Sequence, residues 1–181
     1  NHLEAHLYAP ALEAPLEYPL VGLVASGGHT ILLHATSPID TEVMGTTVDD
    51  AAGEAFDKAA SMLGLSYPGG PAIDRAARTG NPKAVHFPRP MLEPDSLDFS
   101  FSGIKTAVLR WVEARAMAEE IAARHALRQR LAEPGVEDWL AVTPRATLDL
   151  LASFQSTVIE ELMRRTAASA EAIGARAIII S

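Results

Sequence analysis

Residues 18–37 read YPLVGLVASGGHTILLHATS, and this stretch decides the fold. Two apolar runs of strand length flank Ser26-Gly27-Gly28-His29, and glycines at so short a connection mark an antiparallel hairpin. A third short strand around Thr41–Thr46 completes a meander. Beyond it, TTVDDAAGEAFDKAASMLGL predicts a helix over 48–63. Thr47 followed three residues later by Asp50 resembles a capping box, and Ala52, Ala55, Phe56, Ala59, Met62 and Leu63 share one face. Gly64 is placed to close that helix. In YPGGPAIDRAARTG, Pro71 suits a first helical position and Gly80 the end of a second, shorter helix. A proline-rich excursion from Pro82 to Asp98 leads into FSFSGIKTAVLRWVEA, where Ser102 is placed to cap a third helix. The charged region 113–143 reads as alanine-rich helical pieces broken at Pro134-Gly135. From Pro144 to Ile173 runs a long amphipathic helix with Leu148, Leu151, Ala152, Gln155, Val158, Ile159 and Leu162 near helical spacing. Gly174 ends it, and ARAIIIS enters a buried strand. Upstream, residues 1–13 have no breaker before Pro10 and read as the last turns of a helix. The order of elements is that of a mixed α/β fold whose final strand lies beside the first. Both ends read as internal to a larger fold, so the chain is expected to be the middle of a longer protein.

With 181 residues, 48% apolar and 21% charged, the chain has ordinary globular composition and can bury a core. No apolar run approaches the roughly 18 residues that a membrane span needs, and no basic-then-apolar leader opens the sequence. The expectation is a soluble, cytoplasmic protein with no membrane partner. Zero cysteines exclude disulfides, thiolate metal sites and a catalytic thiol. Any metal must then use histidine, carboxylate or water. A net charge of −8 argues against a whole surface built for nucleic acid but leaves room for a local basic patch.

The chain opens NHLEAHLYAP, with His2 and His6 four residues apart. On a helix they share one face and can point at one ion, whereas Glu4 lies roughly 200° round from His2. Glu4 therefore cannot serve as the general base that the HExxH zinc peptidases place directly after the first histidine. Two histidines at this spacing are equally a surface or packed pair, and a metal site needs a third ligand. Ser26-Gly27-Gly28-His29-Thr30 offers backbone N–H groups to an anion and is equally an ordinary tight turn. In the helix over 48–63, Asp50, Gly53 and Asp57 fall within about 60° of one another. Gly53 costs about 1 kcal/mol relative to alanine there, so either a ligand or a packed backbone needs the room. Asp74, one turn into the helix after Pro68-Gly69-Gly70-Pro71, can accept from hydroxyl groups or simply suit a helix N-terminus. Ser102 and Lys105 read as a cap and a solvated lysine, and Arg164-Arg165 as an exposed face.

Taken together, HLEAH, VASGGHT, DDAAGEAFDK, YPGGPAID, FPRP and DFSFSGIKT resemble the tRNA adenosine threonylcarbamoyltransferase family, formerly the O-sialoglycoprotein endopeptidase or glycoprotease family. DFSFSGIKT is similar to its bacterial branch. The likeness runs from residue 1 to about residue 110 and resumes in the closing helix and strand. It implies an actin-like, ribonuclease H-like ATPase fold, with 1–15 ending a first lobe and 16–181 belonging to the second. It implies transfer of the threonylcarbamoyl group of threonylcarbamoyl-AMP to the N(6) amine of the adenosine 3′ of the anticodon in tRNA. His2 and His6 match the metal ligands, for one divalent ion per subunit, iron(II) ahead of zinc. Val24, Ala25, Ser26, Gly27 and Gly28 match the substrate-binding strand and turn; Asp57, Gly70 and Asp74 match further substrate contacts. A shorter paralogue of the same fold and a P-loop ATPase are the implied protein partners. Ala5 departs from the glycine common between the histidines. The family's third metal ligand, an aspartate, and a substrate-binding asparagine are absent, so these 181 residues alone are expected to be inactive. A metal-dependent glycoprotein endopeptidase, a non-catalytic paralogue acting in assembly, and a related actin-like kinase or carbamoyltransferase are the competing readings.

Overall fold

The computed structural model describes residues 2–93, 95–132 and 134–181. Pro94 of the proline-rich excursion and Glu133 of the charged region lie outside them. The chain divides into two compact units, one formed by Asn1–Gly53, Pro90–Phe101 and Glu160–Ser181, the other by Glu54–Arg89 and Ser102–Ile159.

The first unit is built on a four-stranded mixed sheet in the order β3-β2-β1-β4. Strands β1 (Leu20–Ala25), β2 (Thr30–Ser37) and β3 (Asp40–Thr46) form the meander that the alternating apolar runs predict. Strand β4 (Ala177–Ile180) pairs in parallel with β1, Leu20 opposite Ala177 and Leu23 opposite Ile180. The residues from Leu20 to Val24 are buried, which is why this strand reads as a continuous apolar run rather than an alternation. Helix α1 (His2–Tyr8) lies against the sheet through Leu7, which is fully buried among Leu20, Val24, Leu33, Ala35 and Ile179. Gly22 makes that seat: a Cβ there would overlap the Leu7 side chain. Tyr8 adds polar anchors, its hydroxyl donating to the Ser37 carbonyl at 3.2 Å and lying 2.6 Å from Thr41 Oγ1. A 3-10 turn (Ala9–Leu12) follows α1.

Helix α2 (Ala52–Met62) starts four residues later than the sequence pattern predicts. Thr47 does not form a capping box with Asp50; its hydroxyl donates to the Asp50 carbonyl at 2.6 Å. The hydroxyl that accepts from the Ala52 N–H belongs to Thr30, at 2.8 Å, on a strand distant in sequence. Asp50 accordingly lies before the helix and does not share its face with Gly53 and Asp57. The excursion before Phe101 is tied down by an arginine that the sequence places on an exposed face. Arg165 is buried, its Nε donating to Glu161 at 2.6 Å and its NH1 to the Ser96 carbonyl. Arg164 is exposed as expected. Burial alone would raise the Glu161 carboxyl, but the hydrogen bonds from Arg164 and Arg165 outweigh it and hold it below its ordinary value.

The second unit is helical. Helix α3 (Gly69–Ala77) begins two residues before Pro71, with Pro68 as its N-cap, so Pro71 sits within the first turn rather than opening it. Helix α4 (Ser102–Ala114) starts at Ser102 itself, and Lys105 is half-buried. The charged region resolves into α5 (Ala118–Arg130) and α6 (Val136–Ala141), separated where Pro134-Gly135 predicts a break. Helix α7 (Arg145–Ile173) has the predicted extent, and Gly174 ends it with φ of +61°. What holds α5 in place is Arg124, which has no solvent exposure. Its Nε donates to the Leu63 carbonyl at 2.6 Å, and its NH1 reaches the Val142 carbonyl at 3.3 Å and Glu120 at 3.4 Å. Thr147 donates to the same Glu120 oxygen at 2.8 Å, so one charge cluster ties α5 to the end of α2 and the start of α7.

Candidate functional site

In the first unit, the seat of Leu7 on Gly22 lays α1 beside the carboxyl ends of β1 and β4. Ser181 extends the parallel pairing, its carbonyl accepting from Ala25 N at 2.8 Å and its N–H donating to Leu23 at 2.9 Å. The Ser181 hydroxyl then lies 2.9 Å from His6 Nδ1. His2 packs edge-on against His29, ring centroids 5.0 Å apart. The two exposed imidazoles of α1 and the Ser26–Gly28 turn therefore occupy one end of one sheet. The turn is braced from within, His29 N donating to Ser26 Oγ at 3.1 Å and Ser26 N to the His29 carbonyl at 2.8 Å. Val24 is buried in the strand, whereas Ser26, Gly27 and Gly28 are exposed.

Imidazole nitrogen is a fitting donor for iron(II) or zinc. In the tautomer whose Nδ1–H donates to Ser181 Oγ, 2.9 Å away, the His6 Nε2 lone pair is left for a metal. His2 and His6 thus fit as two ligands of a divalent ion. Among the described residues no group of three histidine, aspartate or glutamate side chains is arranged to hold one.

The room that Gly53 leaves is filled by the turn. A Cβ at Gly53 would stand 2.5 Å from the Ser26 carbonyl oxygen and 2.8 Å from Gly27 Cα, and its own N–H donates to that carbonyl at 3.1 Å. Packing against another backbone, one of the two readings the sequence leaves open, is what the structure has. Because both neighbours are main chain, no side-chain rotation relieves the overlap. Overpacking of this kind costs about 1–3 kcal/mol, against about 1 kcal/mol that alanine gains over glycine in a helix. Gly53→Ala is expected to lower stability by up to about 2 kcal/mol and to shift the amide resonances of Ser26 to His29. A more stable variant with an unmoved turn would contradict this.

In the second unit, Asp57 meets the start of α3 at Gly69, the residue before Gly70. Asp57 Oδ1 accepts from Gly69 N at 2.7 Å and satisfies one of the orphan N–H groups of a helix whose N-cap, Pro68, gives no side-chain bond. Gly70 faces open space, with nothing within 4 Å of a Cβ built on it. One turn on, Asp74 Oδ2 accepts from Arg78 at 2.8 Å and Oδ1 from Gln155 Nε2 at 3.0 Å. The Gln155 and Arg78 hydrogen bonds hold the Asp74 carboxyl below its ordinary range despite partial burial. Each of these carboxylates keeps lone pairs for a hydroxyl group.

Two participants escape the sequence reading. His29 stands inside the quoted turn but reads only as its fourth residue; an imidazole directly after paired glycines is the signal. Gln155 sits in the apolar stripe of α7, and a lone amide among leucines is the mark of a buried polar contact.

A family model described as tRNA N6-adenosine threonylcarbamoyltransferase matches residues 1–181. The protein of that name from Geobacter sp. (strain M21) is 44% identical over 181 residues, which cover 100% of this chain and 46% of the relative. That from Symbiobacterium thermophilum is 44% identical over 182 residues, 100% of this chain and 46% of the relative. That from Methylobacillus flagellatus is 47% identical over 164 residues, 90% of this chain and 46% of the relative. The chain spans less than half the length of these curated relatives.

Proposed function

Because the chain belongs to the tRNA N6-adenosine threonylcarbamoyltransferase family, we propose that the protein bearing it transfers the threonylcarbamoyl group of threonylcarbamoyl-AMP to the N(6) amine of the adenosine 3′ of the anticodon. The observation that carries this reading is the meeting of the α1 histidines with the glycine turn at one end of one sheet, two imidazoles beside an exposed glycine backbone. In this reading His2 and His6 hold one divalent ion, iron(II) or zinc. That ion, when bound, supplies Lewis acidity toward the phosphate or carboxylate of the acyl adenylate. The N–H groups of Gly27 and Gly28 receive anionic oxygens, while Val24, Ala25 and Ser26 line the approach and hold the turn, the Ala25 and Ser26 N–H groups being bonded to the Ser181 and His29 carbonyls. Asp57, Gly70 and Asp74 contact the nucleoside, the carboxylates accepting from hydroxyl groups and Gly70 leaving space for close approach.

The reaction balances without a further reactant. The N(6) nitrogen attacks the carbamoyl carbon, a nitrogen–carbon bond forms, the bond to the phosphate oxygen breaks, AMP departs with the electron pair, and the amine gives up a proton. The fold proposed is the actin-like ATPase type, residues 1–15 ending the first lobe and 16–181 lying in the second. The partners proposed are tRNA, a shorter paralogue of the same fold and a P-loop ATPase, in the cytoplasm. Among the described residues no helix is long and apolar enough to cross a membrane.

The test is to supply the full-length protein and its two protein partners with threonylcarbamoyl-AMP and tRNA, and to digest the RNA for mass spectrometry. Threonylcarbamoyladenosine is the expected product. Its absence, with chelator-sensitive cleavage of a glycoprotein instead, would replace this reading with the peptidase one.

A further inference from the structure

Helices α5 and α6 make one wall of a groove that no role in the proposed reaction uses. The groove holds about 610 Å³ and is lined by residues including Tyr67, Arg75, Arg128, Leu131, Val136 and Trp139, all within the second unit. Its described lining carries two guanidinium groups, and at its edge the Asp138 carboxylate accepts from the Gly135 N–H at 2.9 Å. Arg128 is held in place, its NH1 donating to the Leu65 carbonyl at 3.1 Å. The side chains of Tyr67, Arg75 and Trp139 make no hydrogen bond or ion pair with another described residue. Tyr67 is 79% exposed, so a large aromatic ring stands in water with its face open. A pinned cation, a second exposed cation and two aromatic rings around one trough are the elements that grip a phosphate backbone and stack its bases.

We infer that this groove binds a single-stranded segment of RNA, Arg75 and Arg128 taking phosphates and Tyr67 and Trp139 stacking on bases. An acidic peptide would use the guanidinium groups but has no need of the open Tyr67 ring beside the half-buried Trp139. The inference rests on the proposal that the substrate is tRNA, and it assigns to α5 and α6 a part of that RNA's contact surface.

The experiment uses the full-length protein and a fluorescein-labelled tRNA anticodon hairpin, with affinity read by anisotropy across a range of potassium chloride concentrations. Arg75→Gln and Arg128→Gln are each expected to weaken binding severalfold and to reduce the slope of log affinity against log salt by about 0.7. Tyr67→Ala is expected to weaken it about tenfold with the slope unchanged. Thermal melting separates folding from binding; Arg75→Gln and Tyr67→Ala, which break no bond in the protein, should melt as the parent does. If the parent modifies tRNA while all three variants bind the hairpin within about twofold of it, the groove assignment falls and the proposed function stands. If only the arginine variants weaken binding, and a polyglutamate peptide displaces the hairpin, the groove is an anion patch and the RNA assignment is overturned. If the parent neither modifies tRNA nor binds the hairpin, the proposed function fails and this inference with it.

Discussion

Arg124→Ala is expected to lower the stability of the helical unit by about 3–5 kcal/mol, the usual result of removing one partner from a buried ionic cluster. The Arg124 side chain has no exposure. Its loss would strand the Leu63 and Val142 carbonyls, which now accept at 2.6 Å and 3.3 Å, and would leave Glu120 with Thr147 as its remaining donor. A void the size of a guanidinium would add to the cost. Burial pulls the Arg124 pKa below its ordinary value and Glu120 opposes that fall. A guanidinium stays protonated in proteins regardless, so the charge is present to be lost. Arg124→Met fills the volume without the charge and should recover part of the deficit; Arg124→Lys keeps the charge but cannot reach both carbonyls from one planar group. Both tryptophans of the chain, Trp111 and Trp139, lie in this unit, so urea unfolding followed by their fluorescence reports on it directly. A loss under about 1 kcal/mol for the alanine variant would mean that α5 is a peripheral appendage rather than the strap that ties α2 to α7.

The same arginine shows why parts of the fold were legible in the sequence and others were not. Strands β1 to β4 and helix α7 follow from local pattern, since periodicity and glycine breaks are properties of the segments themselves. The start of α2 does not, because its first N–H is satisfied by Thr30, a partner 22 residues away that no local motif reveals. Arg124, Arg128 and Arg130 look alike on α5, and only tertiary packing selects Arg124 for burial. Arg165 is the same case beside Arg164. In the candidate site, His2, His6 and the glycine turn were legible as residue types, and their meeting was not. That depends on Gly22 admitting Leu7, a contact between a strand and a helix. Gly53 was legible as an anomaly with two explanations, and the main chain of Ser26 and Gly27 is what decided between them.

On the proposed function, His2→Ala and His6→Ala in the full-length protein are expected to remove bound metal and to depress threonylcarbamoyl transfer by more than about 100-fold. Altering the partners of metal ligands already costs about 10–100-fold in affinity or activity, and losing a ligand costs more. Two imidazoles on successive turns of one helix act as a chelate, so a single survivor keeps far less than half of the binding energy of the pair. Two neighbouring changes separate ligation from packing. His29→Ala removes the ring 5.0 Å from His2 and should perturb the turn with a smaller loss of metal. Ser181→Ala removes the hydroxyl 2.9 Å from His6 Nδ1 and should weaken metal binding by about tenfold through the orientation of that ring. The graded order, with the two α1 histidines most severe, Ser181 intermediate and His29 mildest for metal content, is a pattern that simple destabilisation of α1 does not produce. Elemental analysis of purified variants, alongside nucleoside mass spectrometry of modified tRNA, reads both quantities on the same preparations. Full metal content and undiminished transfer in both alanine variants would leave α1 as a structural helix that happens to carry two histidines, and would return the glycine turn to an ordinary hairpin.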